Sequence, residues 1–286
     1  MKLQLMHLRK QINWKSFIQD IFIYLILFGG ALIFIYPMVW MFYSSLKSNS
    51  EILTNPWMLP EQIRIENYVT AWENANLSQA AVNSVIVTLS SVALIVLCSS
   101  LAGFAFGRLK FKGSSLIFYI FLGGLMLPLQ TTLIPLYAFF KSLNWLNTYQ
   151  SVVFPYVAQG LPFSIFLLRA YFLNLPGELE DAARIDGCSS FGIFWKIFLP
   201  IIKPGIAIVV IFQFLFIFNE FLFALIFLTE DKVKTLPIAI FSFWGAYLTK
   251  YGSLLATLST ITIPIMIIYL IFQKQFIRGM TAGAVK

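Results

Sequence analysis

Residues 178–204 read Glu-Leu-Glu-Asp-Ala-Ala-Arg-Ile-Asp-Gly-Cys-Ser-Ser-Phe-Gly-Ile-Phe-Trp-Lys-Ile-Phe-Leu-Pro-Ile-Ile-Lys-Pro. This charged, amphipathic segment is unusual because the chain as a whole is 59% hydrophobic and only 11% charged. On each side of it lies an apolar run long enough to cross a bilayer as a helix. A polar segment held between two membrane spans is a surface that a partner protein can bind.

The apolar runs predict an all-α integral membrane protein with six spans. Soluble domains carry about 25% charged residues, whereas this chain has a mean hydropathy of +0.82. Continuous rather than alternating apolarity favours helices over a barrel. Runs without Asp, Glu, Lys or Arg cover residues 21–46, 74–107, 113–140, 142–168 and 251–273, and the run 204–229 contains only Glu220. The apolar segment 235–249 is shorter than the ~20 residues that a span needs, so it is interpreted as an interfacial or re-entrant piece.

Basic residues predict the orientation of the chain in the membrane. With six spans, both termini lie on the same side as the 178–204 segment, and 14 of the 20 Lys and Arg residues fall there. The positive-inside rule places that side in the cytoplasm. The net charge of +8 follows from this bias and from anionic lipid, so it does not indicate nucleic-acid binding. The prediction is a single domain over 1–286, with cytoplasmic tails 1–17 and 277–286, a six-span core 18–276 and a polar loop 177–204.

Polar residues in the third span are candidates for a translocation pathway. Pro128 and Pro135 lie seven residues apart, and each frees a backbone carbonyl and bends a helix. Gln130 and Thr131 lie between them, where polar groups must face protein or water rather than lipid. The alternative is that these side chains satisfy the freed backbone groups and pack neighbouring helices.

The fourth and fifth spans add three more candidates. Gln159 lies in the fourth span, and Asn219 and Glu220 lie in the fifth. An ionisable group inside a span is a functional hypothesis by default, which favours a pathway or gate role for Glu220. If Glu220 lies near the outer interface, however, water can simply solvate it.

The first part of the 178–204 segment predicts a short helix. Acidic residues in its first turn suit the helix dipole, and Glu180 and Arg184 are spaced for a supporting i,i+4 ion pair. Gly187 is placed as a C-terminal cap. Ala182 and Ala183 leave this helix with a low profile, so another surface can approach its backbone closely.

A second helix is expected to follow, capped by Ser189 or Ser190. Its apolar stripe recurs at i, i+3, i+4 and i+7 and consists of Phe191, Phe194, Trp195 and Phe198. Together the two helices predict a rigid hairpin attached to spans 4 and 5. Composition alone is equally compatible with an amphipathic hairpin that lies on the lipid surface.

Asp181 to Gly187, followed by Phe194 to Pro200 and by Pro204, resembles the EAA loop of ABC importer permeases, and Gly187 matches the glycine of that loop. Two positions depart from the family's pattern. Asp181 stands where the family usually has a glutamate, and Cys188 stands where a small residue is usual.

Three other stretches resemble the carbohydrate-uptake branch of these importers, in particular the maltose-type second permease subunit. They are Pro128 to Tyr137, Asn219 to Phe221 and the tail 276–286. Phe218 departs from the branch, because a tryptophan usually precedes its Asn-Glu pair. These similarities extend the resemblance from the spans to the last residue.

The resemblance implies a type I ABC importer permease in the bacterial cell membrane that carries a sugar or oligosaccharide. The implied partners are a second homologous permease subunit, a cytoplasmic ABC ATPase dimer and an extracytoplasmic solute-binding protein. No cofactor is expected on this chain, which contains no Gly-Lys dipeptide and hence no Walker A loop, so ATP and Mg²⁺ would be used by the ATPase. The residues implied in ATPase coupling are Glu180, Asp181, Ala182, Ala183, Asp186 and Gly187.

Other functions stay open on the residues alone. A membrane enzyme is disfavoured because the single histidine, His7, lies in the N-terminal tail and the spans contain no carboxylate pair or metal-spaced cluster. An ion-coupled secondary transporter would use Glu220 as its coupling group. Within the importer interpretation, the solute could instead be a peptide, an amine or a phosphate ester.

Overall fold

The computed structural model describes residues 14–243 and 250–282, and every regular element in those two ranges is helical. Four long helices form its frame: α1 Trp14–Ser44, α4 Leu77–Arg108, α7 Gln150–Leu173 and α14 Tyr251–Ala282. The shorter helices are α2 Asn49–Thr54, α3 Glu66–Asn74, α5 Ser114–Gly123, α6 Leu133–Ser142, α8 Glu178–Ile185, α9 Ser190–Ile193, α10 Leu199–Ile201, α11 Lys203–Phe218, α12 Leu222–Phe227 and α13 Leu236–Ala239.

Four helices in the described ranges are long and apolar enough to cross a membrane singly. They are α4, α7, the Gln19–Ser44 part of α1 and the Tyr251–Gln273 part of α14. Two bent helix pairs raise the number to six if each pair counts as one span. The pair Ser114–Met126 and Gln130–Ser142 is bent by 91°, and the pair Ser190–Ile201 and Lys203–Phe218 by 75°. The predicted count of six therefore depends on these bent pairs and stays a prediction.

The break in the third span lies at a proline. Leu127 and Pro128 adopt extended backbone conformations between two short 3₁₀ turns, as expected where proline lacks an N–H and restricts the residue before it. Pro135 behaves differently, because it lies in the first turn of α6, where the missing N–H leaves no hydrogen bond unmade. Only Pro128 thus interrupts the helix.

The helices α4 and α7 form the centre of the packed core and approach closely at two glycines. A methyl group at Gly103 would lie 3.1 Å from Leu168 Cβ, and one at Gly107 would lie 3.0 Å from Phe172 Cβ. Small residues at such crossings let two backbones come together where van der Waals packing holds membrane helices. The helix α11 packs across α4 and α7 and also contacts α14.

The segment after α1 folds back on the end of that helix. Lys47 is fully buried there, and its Nζ donates to the main-chain oxygens of Asn55 at 3.0 Å and Pro56 at 3.1 Å. The amide of Asn67 donates to the main-chain oxygens of Ser45 and Lys47, each at 2.8 Å. These bonds offset the cost of burying polar groups and fix the loop against α1.

Several predicted segments fall wholly or partly outside the described residues. The short apolar piece predicted at 235–249 contains α13 and a 3₁₀ turn over Ile240–Phe243, and its remainder from 244 lies outside. Residues 1–13 of the predicted N-terminal tail and residues 283–286 of the predicted C-terminal tail also lie outside. The predicted tails therefore stay predictions.

Candidate functional site

The 178–204 segment folds into two helical arms, here called the polar hairpin (residues 178–201). Its first arm is α8, which carries acidic residues at its N-terminal end as the sequence predicts. Arg184 donates from Nη2 to Glu180 Oε1 at 2.6 Å, which confirms the expected i,i+4 pair. The same Nη2 lies 3.4 Å from Ser190 Oγ, so Arg184 also connects the two arms.

The first arm ends in a Schellman motif. The N–H of Gly187 donates to Arg184 O at 3.0 Å, and the N–H of Cys188 donates to Ala183 O at 2.9 Å. Gly187 has φ +79°, a conformation that glycine adopts without the steric cost that a Cβ introduces. The predicted cap at Gly187 is therefore confirmed, and it sets the turn between the arms.

The two alanines of the first arm face opposite environments. Ala182 is exposed, whereas Ala183 is only 4% exposed and belongs to the buried core. The expectation that both alanines offer a low surface to a partner therefore holds for Ala182 alone. The exposed side of the arm also carries Asp181, Asp186 and Ile185, the last 86% exposed. An isoleucine this exposed among acidic residues suits contact with another protein.

The second arm begins at Ser189, whose Oγ accepts from the N–H of Gly192 at 3.2 Å. The helix then widens into a π turn over Phe194–Phe198. The predicted apolar stripe divides here: Phe194 and Phe198 are buried, while Phe191 and Trp195 are 65% and 43% exposed. One side of the arm thus packs against the protein, and the other presents two aromatic rings to the surroundings.

Four phenylalanines attach the polar hairpin to the long helices. Ring centroids of Phe104 in α4 lie 5.6 Å from Phe172 in α7, 5.3 Å from Phe194 and 5.9 Å from Phe198. Phe172 in turn lies 6.3 Å from Phe194 and 6.2 Å from Phe198. The hairpin therefore packs on α4 as well as on α7. Sequence reasoning missed Phe104, because it lies far away in the chain within a run of uniformly apolar residues.

The pathway candidates of the third and fourth spans lie near one cavity. Gln130 and Thr131 are exposed in the 3₁₀ turn Leu129–Thr132, and Thr131 Oγ1 donates to Pro128 O at 2.7 Å. Gln159 lines a mostly apolar cavity of about 580 Å³, together with Thr132. The Oε1 atom of Gln159 is buried and accepts no hydrogen bond from the described part of the chain. A buried oxygen that accepts no hydrogen bond lowers the stability of the folded protein unless another molecule supplies a donor.

Asn219 and Glu220 lie in the break between α11 and α12 and do not line that cavity. Asn219 Nδ2 donates to Leu215 O at 2.7 Å. Glu220 accepts from three backbone N–H groups at the start of α12, at 2.8 to 3.3 Å, and from the hydroxyl of Tyr156. This carboxylate therefore acts as an N-terminal cap, a role that sequence reasoning did not include.

Comparisons with known proteins extend over nearly the whole chain. Residues 95–282 match the family model described as binding-protein-dependent transport system inner membrane component. A probable ABC transporter permease protein of Bacillus subtilis, YurM, is 40% identical over 95% of this chain and 90% of its own length. The trehalose/maltose transport system permease protein MalG of Thermococcus litoralis is 38% identical over 90% of this chain and 93% of its own length.

A solved structure shares the fold. The alignment with a bacterial ABC transporter involved in the import of the acidic polysaccharide alginate has a TM-score of 0.81 at 20% identity, over 91% of this chain and 97% of that chain. The expected all-α importer permease fold is thereby confirmed.

The diacetylchitobiose uptake system permease protein NgcG of Streptomyces coelicolor is a further relative, 36% identical over 88% of this chain and 84% of its own length.

Proposed function

Because the chain belongs to the family of binding-protein-dependent transport system inner membrane components, we propose that it is a membrane-spanning permease subunit of an ATP-driven importer for a sugar or oligosaccharide. The substrate class is supported by relatives named for diacetylchitobiose and for trehalose and maltose, and by one named for arabinooligosaccharides.

The observation that carries this proposal is the geometry of the polar hairpin. A hydrogen-bonded turn at Gly187 and an Arg184 contact between the arms make the hairpin a defined unit. Its inner side packs on the long helices through Phe194 and Phe198, while its outer side exposes Ala182 and Ile185. Such a unit is built to transmit an external force to the membrane core.

The proposed partners follow from this arrangement. A cytoplasmic ABC ATPase dimer, which uses ATP and Mg²⁺, binds the exposed side of the hairpin, including Asp181, Ala182 and Asp186. Ala183, Glu180 and Gly187 support that surface from within the arm. A second homologous permease completes the pathway, and an extracytoplasmic solute-binding protein delivers the sugar; a solved alginate transporter is described in complex with such a periplasmic protein. Both termini and the hairpin lie in the cytoplasm.

The proposed mechanism is a coupled movement of helices. Closure of the ATPase displaces the hairpin, provided that the two ATPase states bind it with different affinity. Phe104, Phe172, Phe194 and Phe198 form the phenylalanine cluster, and packing within this cluster moves α4 and α7. The direct chain connection at Ile202 moves α11. Rocking of these helices switches access to a central pathway between the two sides of the membrane.

Gln159 and the cavity that it lines are the proposed contribution of this chain to the pathway, together with Gln130 and Thr131. Asn219 and Glu220 are proposed to border the pathway by holding the break between α11 and α12. An ion-coupled transporter is disfavoured, because the Glu220 carboxylate is already engaged by four donors.

Affinity purification in mild detergent tests the proposal. A tagged chain is expected to bring an ATP-binding subunit and a second permease with it. A variant with Asp at the exposed Ile185 should lose the ATPase but keep the second permease. A variant with Asp at Ile63, an equally apolar residue exposed in the loop between α2 and α3 and outside the spans, serves as a surface control. Recovery of the chain alone, with uptake that an uncoupler abolishes, would contradict the proposal.

A further inference from the structure

An arginine at the end of α4 contacts the segment that leads into the polar hairpin and also its second arm. Arg108 Nη2 donates to the main-chain oxygen of Leu175 and lies 3.5 Å from that of Pro176. Only Gly177 separates these two residues from the first arm. The guanidinium carbon also lies 5.0 Å from the ring centroid of Phe198 in the second arm. The Arg108 side chain therefore connects α4 both to the segment that enters the hairpin and to the hairpin's second arm.

The two arms are otherwise attached to the protein unequally. The second arm contributes Phe194 and Phe198 to the phenylalanine cluster, whereas the first arm contributes only the methyl group of Ala183 to the buried core. The hydrophobic attraction between apolar rings is non-directional, apart from a modest preference for offset or edge-to-face geometry. A charge-assisted hydrogen bond has a preferred direction. The bond from Arg108 is thus what fixes the entry of the first arm to α4.

We infer that Arg108 is a positioning residue that makes α4 move together with the first arm of the hairpin. This inference rests on the proposed function, because it concerns how a displacement by the ATPase reaches the membrane core. Through Arg108, the displacement enters α4, which is separated from the hairpin by more than sixty residues of chain. Without Arg108, the first arm is held by α7, its neighbour in sequence, by the turn and the Arg184 contact that join it to the second arm, and by Ala183 in the core.

The chain offers a matched control in Arg169. Its Nε donates to the main-chain oxygen of Phe106 at 3.2 Å, and its guanidinium carbon lies 4.2 Å from the ring centroid of Phe118. Arg169 thus makes the same two types of contact as Arg108, one to a carbonyl and one to a phenyl ring. It joins α7 to α4 and α5, however, and none of these contacts involves the hairpin.

Distances between spin labels in the assembled complex test the inference. One label is placed on Glu178→Cys, an exposed site at the start of the first arm outside the proposed ATPase-binding surface, and the other on Lys110→Cys, an exposed site just after α4. Both are made in a chain whose Cys98 and Cys188 are replaced by serine. Each complex is measured without nucleotide and with Mg-ATP plus vanadate. A second pair, Glu178→Cys with Lys141→Cys, reports whether the hairpin moves at all.

For the complex with Arg108 intact, the 178–110 distance is expected to be equal in the two nucleotide states, while the 178–141 distance changes. In Arg108→Ala, the 178–110 distance is expected to change between the states by about 2 Å, the usual size of a helix shift. Arg108→Lys retains the charge but not the guanidinium fork, so a smaller change is expected. Arg169→Ala should behave like the unaltered complex.

Three results are decisive. A 178–110 distance that varies with nucleotide when Arg108 is intact would overturn the inference, as would an invariant distance in both Arg108 variants. If Arg108→Ala fails to assemble, Arg108→Lys decides by the same criterion. A 178–141 distance that nucleotide never changes, in a chain that recruits no ATPase, would instead overturn the proposed function.

Discussion

Gly187 gives the sharpest test of the hairpin turn. Its φ of +79° costs a residue with a Cβ roughly 1–2 kcal/mol, which lowers the ratio of native to non-native turn by a factor of about 5–30. Gly187→Ala should therefore reduce uptake, by at most about that factor. Gly187→Pro should abolish it, because proline fixes φ near −65° and lacks the N–H that donates to Arg184 O.

Gly177 at the other end of the same arm is the matched control. Its φ is −64°, and a Cβ there would meet no atom within 4 Å. Gly177→Ala is therefore expected to leave uptake unchanged. The assay compares uptake of a radiolabelled sugar that supports growth through the importer, with immunoblots to show equal amounts of each variant in the membrane. Equal uptake by Gly187→Pro and Gly177→Ala would refute the reasoning.

Three further predictions concern packing, capping and pH. Phe198→Ala should destabilise the protein by about 3–5 kcal/mol, seen as a lower thermal midpoint in detergent, whereas Phe191→Ala at an exposed ring should change it little. Glu220→Ala removes a helix cap and should destabilise the protein by about 0.5–2 kcal/mol, again seen as a lower thermal midpoint. Uptake should stay insensitive to an uncoupler. Uncoupler-sensitive uptake by the unaltered protein would contradict this prediction. Backbone hydrogen bonds from Ser48 lower the pKa of Glu51 from 4.5 to about 2. Because the folded pKa is the lower one, the stabilisation is complete above pH 4.5 and is lost as the pH falls towards about 2. After correction for the pH dependence of the intrinsic exchange rate, the protection of amides in residues 48–62 should therefore fall over that range, but not in Glu51→Gln.

Local features of the hairpin were predictable from the sequence. The positions of Glu180 and Arg184, the cap at Gly187 and the cap at Ser189 all depend on interactions within five residues. Short-range rules of helix formation describe such interactions well. The apolar runs likewise predicted the membrane helices, because bilayer thickness fixes their minimum length.

Features that depend on distant parts of the chain were not predictable. Nothing in the sequence near Ala183 indicates that it faces the buried core rather than a partner. The π turn that divides the apolar stripe and the ring of Phe104 beneath it follow from packing between helices far apart in sequence. The hydrogen bond from the hydroxyl of Tyr156 to Glu220 likewise joins distant residues, and the pathway role of Glu220 stays a prediction.

The exposed side of the first arm is the proposed surface to which an ATPase binds, and the coupling mechanism depends on it. The most direct test is cross-linking in native membranes from Ile185→Cys, which is 86% exposed, with Ala183→Cys at a buried position as the comparison. The predicted result is a cross-link from position 185 to a nucleotide-binding subunit, which weakens or strengthens when ATP is added, and none from position 183. Adducts only with lipid at position 185 would contradict the claim.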